Sequence, residues 1–275
     1  MIKRLTSLQN ETVKLSDTSP EKKRVKRAAS LQQKKYRLRE GLFLVEGVRA
    51  VREVRSSSWT VTAYFFTDLP EDFQKEAQGS DIPYYEVTGD IMKKLTATEE
   101  PQSLAALVRL KERSLETVHP ERGLILVLDE IHDPGNVGTM IRTARAMNAQ
   151  GVILLSGSAD LYNPKVVRAA MGNLFHIPVF TGITEDALMT FAQKAGWTLV
   201  ATALDGAADL RDFTYPQKTL LIMGSEAEGV SHSLLEKSAA RVKIPMLGEA
   251  ESLNVGVAAG ILLYEAMVQQ DPGRN

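Results

Sequence analysis

The sequence predicts an α/β protein built from two successive α/β units. Unbroken apolar runs, such as LILVLDE (124–130) and TLLIMG (219–224), are typical of strands buried on both faces of a parallel sheet. Helical stretches separate these runs, and such alternation predicts a doubly wound domain. Residues 112–123 are polar, contain a proline and lack apolar periodicity, which predicts a linker between a smaller amino-terminal unit and a larger carboxyl-terminal one.

The first 40 residues predict a basic helical arm of two short helices. Asn10 is suited to cap a helix that begins at Glu11, and Pro20 suits the first turn of a second helix. The segment 41–111 then alternates short strands and helices and is predicted to form the smaller unit. We expect its strands at 43–46, 61–66, 83–87 and 104–108, and its helices at 47–54, 71–77 and 88–95.

The segment 124–275 continues the alternation and is predicted to form the larger unit. The stretch VGVAAGILLYEAMVQ (255–269) is rich in small and apolar residues, which predicts a long buried helix. After the run at 124, we expect strands at 151–156, 197–204, 219–224 and 241–245, separated by helices at about 137–149, 163–171, 185–195 and 231–238.

The composition excludes several classes of protein. Of the 275 residues, 44% are hydrophobic and 24% are charged, as in ordinary globular proteins. No apolar run approaches the roughly 20 residues of a membrane helix, and the basic start lacks the apolar core of a signal peptide. Cysteine is absent, which excludes disulfides, thiolate nucleophiles and cysteine-ligated zinc. We therefore expect a cytoplasmic protein with no membrane partner.

The net charge of −1 conceals a strong asymmetry. Residues 1–40 contain 12 Lys or Arg and 4 Asp or Glu, which leaves 21 basic and 30 acidic residues in the remainder. A solvated helix face is one interpretation of the basic segment. The other is contact with a polyanion, since cations that neutralise phosphates release bound counterions. The predicted contacts in this segment are Lys22, Lys23, Arg24, Lys26, Arg27, Lys34, Lys35, Arg37 and Arg39.

The first of three polar strand exits is DPGNVGTMIRTARA (133–146). Ligands of such sheets bind beyond the carboxyl ends of the strands. The proline and glycines predict a tight turn into a helix, whose amino terminus favours an anion. Arg142 and Arg145 are three residues apart and so lie near one face of that helix. The residues alone leave two interpretations open: a phosphate-binding turn, or a structural turn in which Asn136 caps the helix and Arg142 forms a buried ion pair.

The second and third exits are IMGSEAEGVS (222–231) and IPMLGEAESLNVGVAAG (244–260). Glycine at 224 and 229 permits close approach of the backbone to a ligand. Glu226 is a candidate site residue, whereas Glu228 is suited to cap the following helix. Ser252 and Asn254 precede the terminal helix, where either is an ordinary cap.

Taken together, DPGNVGTMIRTA, IMGSEAEGVS and IPM…ESLNVGVAAG resemble the three motifs of the SpoU family of RNA 2′-O-methyltransferases, in the SPOUT superfamily. The resemblance covers about 124–268. The segment GLFLVEGVRAVREV, within 40–108, resembles the family's accessory substrate-binding domain of ribosomal L30e type. Two positions depart from the motifs, because Ala227 stands where glycine is common and Gly256 where serine is common.

The resemblance implies a trefoil-knotted domain, a homodimer formed through that domain, and S-adenosylmethionine held by the knot loops. It favours 23S ribosomal RNA over tRNA as substrate. It implies cofactor contacts, largely through the backbone, at Thr202, Gly224, Ile244, Met246 and Leu253. It implies a catalytic set of Asn136, Arg142, Glu226, Ser252 and Asn254. Arg145, near the same helix face as Arg142, is expected to be a further RNA contact.

Arg142 is expected to bind the phosphate beside the target and to stabilise the emerging oxyanion, because a guanidinium is effectively always protonated. Whether it also accepts the proton of the hydroxyl stays open. We expect no metal requirement, since His132 stands alone beside the first motif and the other histidines are scattered.

Three alternatives stay open: a tRNA 2′-O-methyltransferase, a non-catalytic RNA-binding protein, and a Rossmann-type nucleotide enzyme. The last needs an acidic residue after the second strand, for which the sequence offers only Asp160, and a complete glycine fingerprint is missing.

Overall fold

The computed structural model describes residues 3–5, 20–118, 120–249 and 252–270. The chain divides into two compact units. The first comprises Met1–Lys111 and Tyr162–Phe175, and the second comprises Glu112–Leu161 and His176–Asn275. The helix expected from Glu11 lies outside the described residues, as does His119. None of the helices in the described ranges is long and apolar enough to cross a membrane.

The first unit contains a five-stranded sheet, within the described residues, in the order β1-β4-β3-β5-β2. Strands β3 and β4 are parallel, and the other pairs are antiparallel. Its elements to residue 109 are β1 (Lys3–Leu5), α1 (Pro20–Ser30), α2 (Lys34–Glu40), β2 (Leu42–Glu46), α3 (Val48–Arg55), β3 (Val61–Phe66), α4 (Glu71–Ala77), β4 (Tyr84–Glu86), α5 (Gly89–Thr96) and β5 (Leu104–Arg109).

The helices of the basic segment pack against this sheet. Ala28 at the end of α1 and Leu31 just beyond it are 0% and 2% exposed and belong to the same core as Phe65 of β3 and Leu107 of β5. Arg37 of α2 is also buried, and its Nη1 donates to the carbonyl oxygens of Leu31 and Gln32 over 2.7 and 2.9 Å. The guanidinium therefore satisfies backbone acceptors at the end of α1.

The second unit contains a parallel sheet of seven described strands, in the order β10-β12-β9-β11-β6-β7-β8, which confirms the predicted parallel α/β architecture. The knot itself stays a prediction. The elements from residue 123 are β6 (Gly123–Leu128), α6 (Pro134–Ala146), β7 (Gly151–Leu155), α7 (Pro164–Ala169), β8 (Val179–Ile183), α8 (Glu185–Ala195), β9 (Thr198–Thr202), β10 (Ala208–Asp209), β11 (Lys218–Met223), α9 (His232–Lys237), β12 (Ala240–Lys243) and α10 (Val255–Gln270).

Several elements differ from the sequence-based expectation. Strand β8 was not predicted, because only Val179 and Phe180 of its five residues are buried and no apolar run marks it. Helix α7 lies within the segment that belongs to the first unit. The segment 112–123 contains a 3₁₀ turn, and its only two described buried residues, Leu115 and Val118, join the core of the second unit. Two apolar residues in twelve give no periodicity to detect.

Candidate active site

The polar loops after β6, β11 and β12 lie at one edge of the seven-stranded sheet. Strand β11 pairs with β6 and β9, and β12 pairs with β9, all in parallel. Parallel neighbours direct their carboxyl ends to the same edge. Side chains from loops separated by about a hundred residues of sequence therefore meet there.

Asn136, Glu226 and Asn254 form a hydrogen-bonded triangle. Asn136 Nδ2 donates to Glu226 Oε1 over 3.0 Å, and Asn254 Nδ2 donates to the same oxygen over 2.9 Å. Asn254 Nδ2 also donates to Asn136 Oδ1 over 3.0 Å. The backbone N–H of Val255 adds a longer bond of 3.4 Å to Glu226 Oε1. One carboxylate oxygen thus fixes the orientation of both amides.

The start of α6 holds Asn136 in place. Asp133 Oδ1 accepts a hydrogen bond from Asn136 N over 2.7 Å, and Pro134 occupies the first helical turn, where its missing N–H costs nothing. The interpretation in which Asn136 caps the helix is wrong, because Asp133 is the cap and the Asn136 amide bonds to Glu226. A buried ion pair of Arg142 is also wrong, because Arg142 lies exposed on α6.

Asn254 has two roles. Its Oδ1 accepts from Gly256 N over 3.0 Å and from Val257 N over 3.3 Å, so the predicted cap of the terminal helix is confirmed. Its Nδ2 serves the triangle described above. A Cβ at Gly256 would lie 3.1 Å from Asn254 Oδ1 and 3.4 Å from Thr139 Cγ2. Glycine at this motif position therefore avoids crowding between α6 and α10.

A tight turn after β11 presents Glu226. Ser225 and Gly229 exchange two backbone hydrogen bonds of 3.1 and 2.9 Å, and Gly229 has φ +71°. A Cβ at Gly224 would lie 1.9 Å from the carbonyl carbon of Gly229, so only glycine fits there. The interpretation of Glu228 as a helix cap is wrong, because α9 begins at His232, three residues too late.

A cavity of about 730 Å³ opens beside the triangle. Its wall consists of residues at or just after the ends of β9, β11 and β12 and at the start of α10. The Thr202 hydroxyl donates to Ile222 O over 3.0 Å, which ties β9 to β11 at the rim. The wall contains Thr202, Gly224, Ile244, Met246 and Leu253, the five positions expected to contact the cofactor, together with Glu226, Ser252 and Asn254.

Charged residues that were not predicted also line this cavity. Asp205 follows β9, and Arg241 and Lys243 are two residues apart on β12. Arg241 Nη2 donates to Leu235 O over 3.3 Å at the end of α9. The residue types of a strand as short as β12 did not indicate that its two cations line a pocket. The one available signal was that Lys243 ends the strand, because ligands of such sheets bind beyond the carboxyl ends of the strands.

The arginines of α6 lie elsewhere. Arg142 and Arg145 are exposed, and neither is among the described residues that line the cavity. Arg142 follows Asn136 by six residues, a rise of about 9 Å along the helix. The structure thus brings together the triangle and the cofactor positions, and it places Arg142 at a distance from them along α6.

The predicted cations of α1 and α2 divide into exposed and buried residues. Arg37 is buried, as described above, whereas Arg24 Nη1 donates to the Tyr85 hydroxyl over 2.6 Å. Glu40 pairs with Arg27 and Arg39. Hydrogen bonds from Arg39 and the nearby charge of Arg27 hold the pKa of Glu40 below its ordinary value. Lys22 is half-buried, and the exposed members of the set are Lys23, Arg24, Lys26, Arg27, Lys34, Lys35 and Arg39.

Across the ranges that the structure describes, three or more His, Asp or Glu side chains do not gather into a group that could hold a metal ion. His132 and His232 are both exposed, and His232 Nδ1 lies 3.7 Å from Glu236.

Comparison with protein families gives two matches. Residues 123–264 match the SpoU rRNA Methylase family, and residues 22–106 match the MRM3-like substrate binding domain. The second match begins inside α1, so it includes most of the basic helices.

Individual relatives are similar over nearly their whole length. The chain is 36% identical to the 23S rRNA (guanosine(2553)-2′-O)-methyltransferase RlmP of Bacillus subtilis, over 90% of this chain and 96% of that protein. It is 32% identical to the 23S rRNA (uridine(2479)-2′-O)-methyltransferase of Streptomyces viridochromogenes, over 90% of each. The crystal structure of an AdoMet-bound rRNA methyltransferase from Sinorhizobium meliloti matches with a TM-score of 0.82 and 32% identity, over 90% of this chain and 95% of that one.

Proposed function

The chain belongs to the SpoU rRNA Methylase family, and on this premise we propose that it methylates a ribose 2′-hydroxyl of ribosomal RNA with S-adenosylmethionine. The favoured substrate is 23S rRNA, which the names of two similar enzymes specify. The observation that carries the proposal is the Asn136–Glu226–Asn254 triangle at the rim of a cavity suited to the cofactor.

The cavity fits S-adenosylmethionine. Its volume of about 730 Å³ falls within the range of roughly 300–1,000 Å³ that is usual for small-molecule sites. Gly224 and Gly229 both line the cavity, and their backbones pack so closely that any side chain at Gly224 would collide with Gly229. Ile244, Met246 and Leu253 offer apolar surface to the adenosine, while Arg241, Lys243 and Asp205 offer charges to the zwitterionic methionine end.

When bound, S-adenosylmethionine supplies an electrophilic methyl group on a sulfonium. The residues of the chain position the ribose oxygen for attack, and such positioning supplies on the order of 7–11 kcal/mol in the best model systems. Asn136 and Asn254, held by Glu226, present amide groups of fixed orientation to the ribose. Ser252 lies on the cavity wall two residues before Asn254 and completes this set.

Arg142 is proposed to bind the phosphate beside the target ribose and to stabilise the negative charge that develops on its oxygen. Its exposure on α6 leaves it accessible to RNA. Because a guanidinium stays protonated, Arg142 acts as a cation, and the proton of the 2′-hydroxyl leaves to water as the oxygen–methyl bond forms and the sulfur–methyl bond breaks. Arg145, one turn further along α6, is proposed as a second phosphate contact.

The first unit is proposed to hold the RNA substrate. The match of residues 22–106 to a substrate binding domain supports this assignment, as do the exposed cations of α1 and α2. Arg37 is left out of the proposed contacts, because its guanidinium is buried against backbone carbonyls. The similar enzymes named above come from bacteria, where ribosomal RNA is made in the cytoplasm, so we propose a cytoplasmic location.

A homodimer is proposed through α10. Val257, Ile261 and Tyr264 are 53%, 37% and 55% exposed and follow helical spacing along one face. An apolar stripe of this kind is typical of an interface. Ile261→Glu should therefore convert a dimer to a monomer in analytical ultracentrifugation. Leu38→Glu, at an exposed leucine of α2, is the control and should leave the dimer intact.

Tritium transfer from labelled S-adenosylmethionine tests the proposed activity. The purified chain is incubated separately with unmodified 23S rRNA, unmodified 16S rRNA and unmodified bulk tRNA. We expect label in 23S rRNA only. Label in tRNA alone would favour the alternative of a tRNA 2′-O-methyltransferase. Binding of 23S rRNA with no transfer would favour a non-catalytic RNA-binding protein.

A further inference from the structure

The first unit contains a separate cavity, of about 230 Å³, where α1 lies over the five-stranded sheet. We propose that it binds one unpaired nucleotide of the RNA substrate, a proposal that rests on the proposed function. Its wall consists of Arg24 and Arg27 of α1, Glu40 at the end of α2, and Leu42, Thr62, Ala63, Phe65, Leu107 and Arg109 of the sheet.

The floor of this cavity is apolar and its rim is cationic. Leu42, Ala63, Phe65 and Leu107 are 6%, 3%, 0% and 9% exposed and belong to the core of the unit. Thr62 directs its hydroxyl to Leu107 O over 3.1 Å, so it adds no unsatisfied group. The exposed arginines at the rim contribute guanidinium groups above an apolar surface. This combination suits a ligand with one flat, weakly polar part and one anionic part.

Among the residues for which the structure gives contacts, two of the three arginines have no carboxylate partner. Glu40 is the carboxylate of the wall, and it is neutralised by Arg27 and Arg39. Arg24 donates to the neutral Tyr85 hydroxyl. Arg109 has no carboxylate partner among the residues for which the structure gives contacts. The rim therefore attracts an anion.

The size of the cavity limits its ligand to the base or ribose of one nucleotide, with the phosphate outside at the rim. Its 230 Å³ is below the roughly 300–1,000 Å³ of sites for larger ligands, and an RNA helix cannot enter it. Bases of double-stranded RNA are hidden in the stack, whereas unpaired bases can be splayed out onto apolar and aromatic side chains. A base or ribose on the floor would leave its phosphate at the rim, where Arg24 and Arg109 bind it. The exposed Lys23 and Lys26 on the same helix α1 can meet phosphates of flanking nucleotides.

Filter binding of a 23S rRNA transcript by the full chain tests this site. Arg109→Gln should weaken binding about tenfold, as expected for loss of a charge-assisted contact. The slope of log K against log salt should fall by about 0.7, the value for one phosphate contact in single-stranded nucleic acid. Arg49→Gln is the matched control, since Arg49 is exposed on α3, a helix that contributes nothing to the core beneath α1. It should change neither quantity.

Two further measurements keep the result independent of one variant. A transcript with 4-thiouridine, irradiated in complex with the wild-type chain, should cross-link to peptides that contain 24–27, 62–65 or 107–109. Cross-links only to other peptides would overturn the proposal, as would unchanged affinity and slope in Arg109→Gln. Binding of uridine monophosphate that depends on Arg109, with unaffected RNA binding, would also overturn it in favour of a free nucleotide. If the wild type labels 23S rRNA with tritium while these tests fail, the methyltransferase function stands and the subsite alone is wrong.

Discussion

The Nδ2 of Asn254 donates a hydrogen bond to the Oδ1 of Asn136 over 3.0 Å, although 118 residues separate them in sequence. Both side chains also bond to one oxygen of Glu226. These partners determine which end of each amide is the donor nitrogen and which is the acceptor oxygen, so neither amide can flip without losing its bonds. These bonds connect the start of α6, the turn after β11 and the residue before α10 at the edge of the cavity.

Removal of the shared carboxylate should disrupt this arrangement. Glu226→Ala removes the acceptor that the amides of Asn136 and Asn254 share, so Asn136 Nδ2 loses its partner and Asn254 Nδ2 keeps only Asn136 Oδ1. We expect Asn136 to reorient. A misplacement of about 1 Å costs on the order of a hundredfold in rate. We expect a loss of that size in kcat for tritium transfer. Glu249→Ala, at an exposed position of the loop after β12, should stay within a few fold of the wild type. Equal rates for Glu226→Ala and the wild type would remove the triangle from the mechanism.

The role of Arg142 depends on its planar guanidinium. Arg142→Lys keeps the positive charge but loses the fork that contacts phosphate and oxyanion together. We expect kcat to fall roughly tenfold to a hundredfold, with RNA affinity nearly unchanged. Arg122→Lys, exposed just before β6 and so at the opposite edge of the sheet, is the control and should behave as the wild type. Wild-type turnover in Arg142→Lys, with normal RNA binding, would show that the assigned role is wrong.

Much of the fold followed from sequence, and the family resemblance named the three residues of the triangle, but the bonds between them were not predicted. The last four residues of β11, Leu220 to Met223, are an apolar run, so a strand buried on both faces was predictable from residue type. Strand β8 gave no such signal, because only its first two residues are buried. The individual bonds of Asn136 and Asn254 depend on the order of strands in the sheet, which periodicity does not encode. The burial of Arg37 was not predictable from residue type, since the cations two residues away on either side, Lys35 and Arg39, remain exposed.

A single methyl group added at Gly224 should abolish binding in the cofactor cavity. In Gly224→Ala the added Cβ would lie 1.9 Å from Gly229 C and 2.0 Å from Val230 N, and both are backbone atoms that have little room to move. We expect the variant to lose the thermal stabilisation that S-adenosylhomocysteine gives the wild type. Gly248→Ala adds its Cβ to open space in the loop after β12 and should retain the full shift. Circular dichroism of both variants separates loss of binding from loss of folding.

The stability of the second unit should depend on the ionisation of Glu185. Hydrogen bonds from Lys237 and Ser233 lower the pKa of Glu185 below its ordinary value of 4.5. A lowered folded-state pKa stabilises the protein above pH 4.5, and the contribution is lost as the pH falls through the folded-state pKa. Glu185→Gln should therefore reduce the free energy of unfolding by about 1 kcal/mol or less near neutral pH.

The difference between Glu185→Gln and the wild type should shrink toward zero in acid. Urea unfolding at about pH 7 and about pH 3 measures it, because the loss begins below about pH 4.5 and is complete only below the folded-state pKa. Glu116→Gln, an exposed position of the 3₁₀ turn, should show no such difference at either pH. A difference that grows on acidification would contradict the assignment of a lowered pKa.

The position of the transferred methyl group is the most direct test of the catalytic centre. A 23S rRNA transcript is incubated with the chain and S-adenosylmethionine, then fragmented in alkali and sequenced. A 2′-O-methyl group blocks attack of that oxygen on the neighbouring phosphate, so one protected linkage should appear with the wild type and disappear with Glu226→Ala. Methyl label on a base, or a protected linkage that persists in Glu226→Ala at the wild-type level, would contradict a ribose methyltransferase centred on Asn136, Glu226 and Asn254.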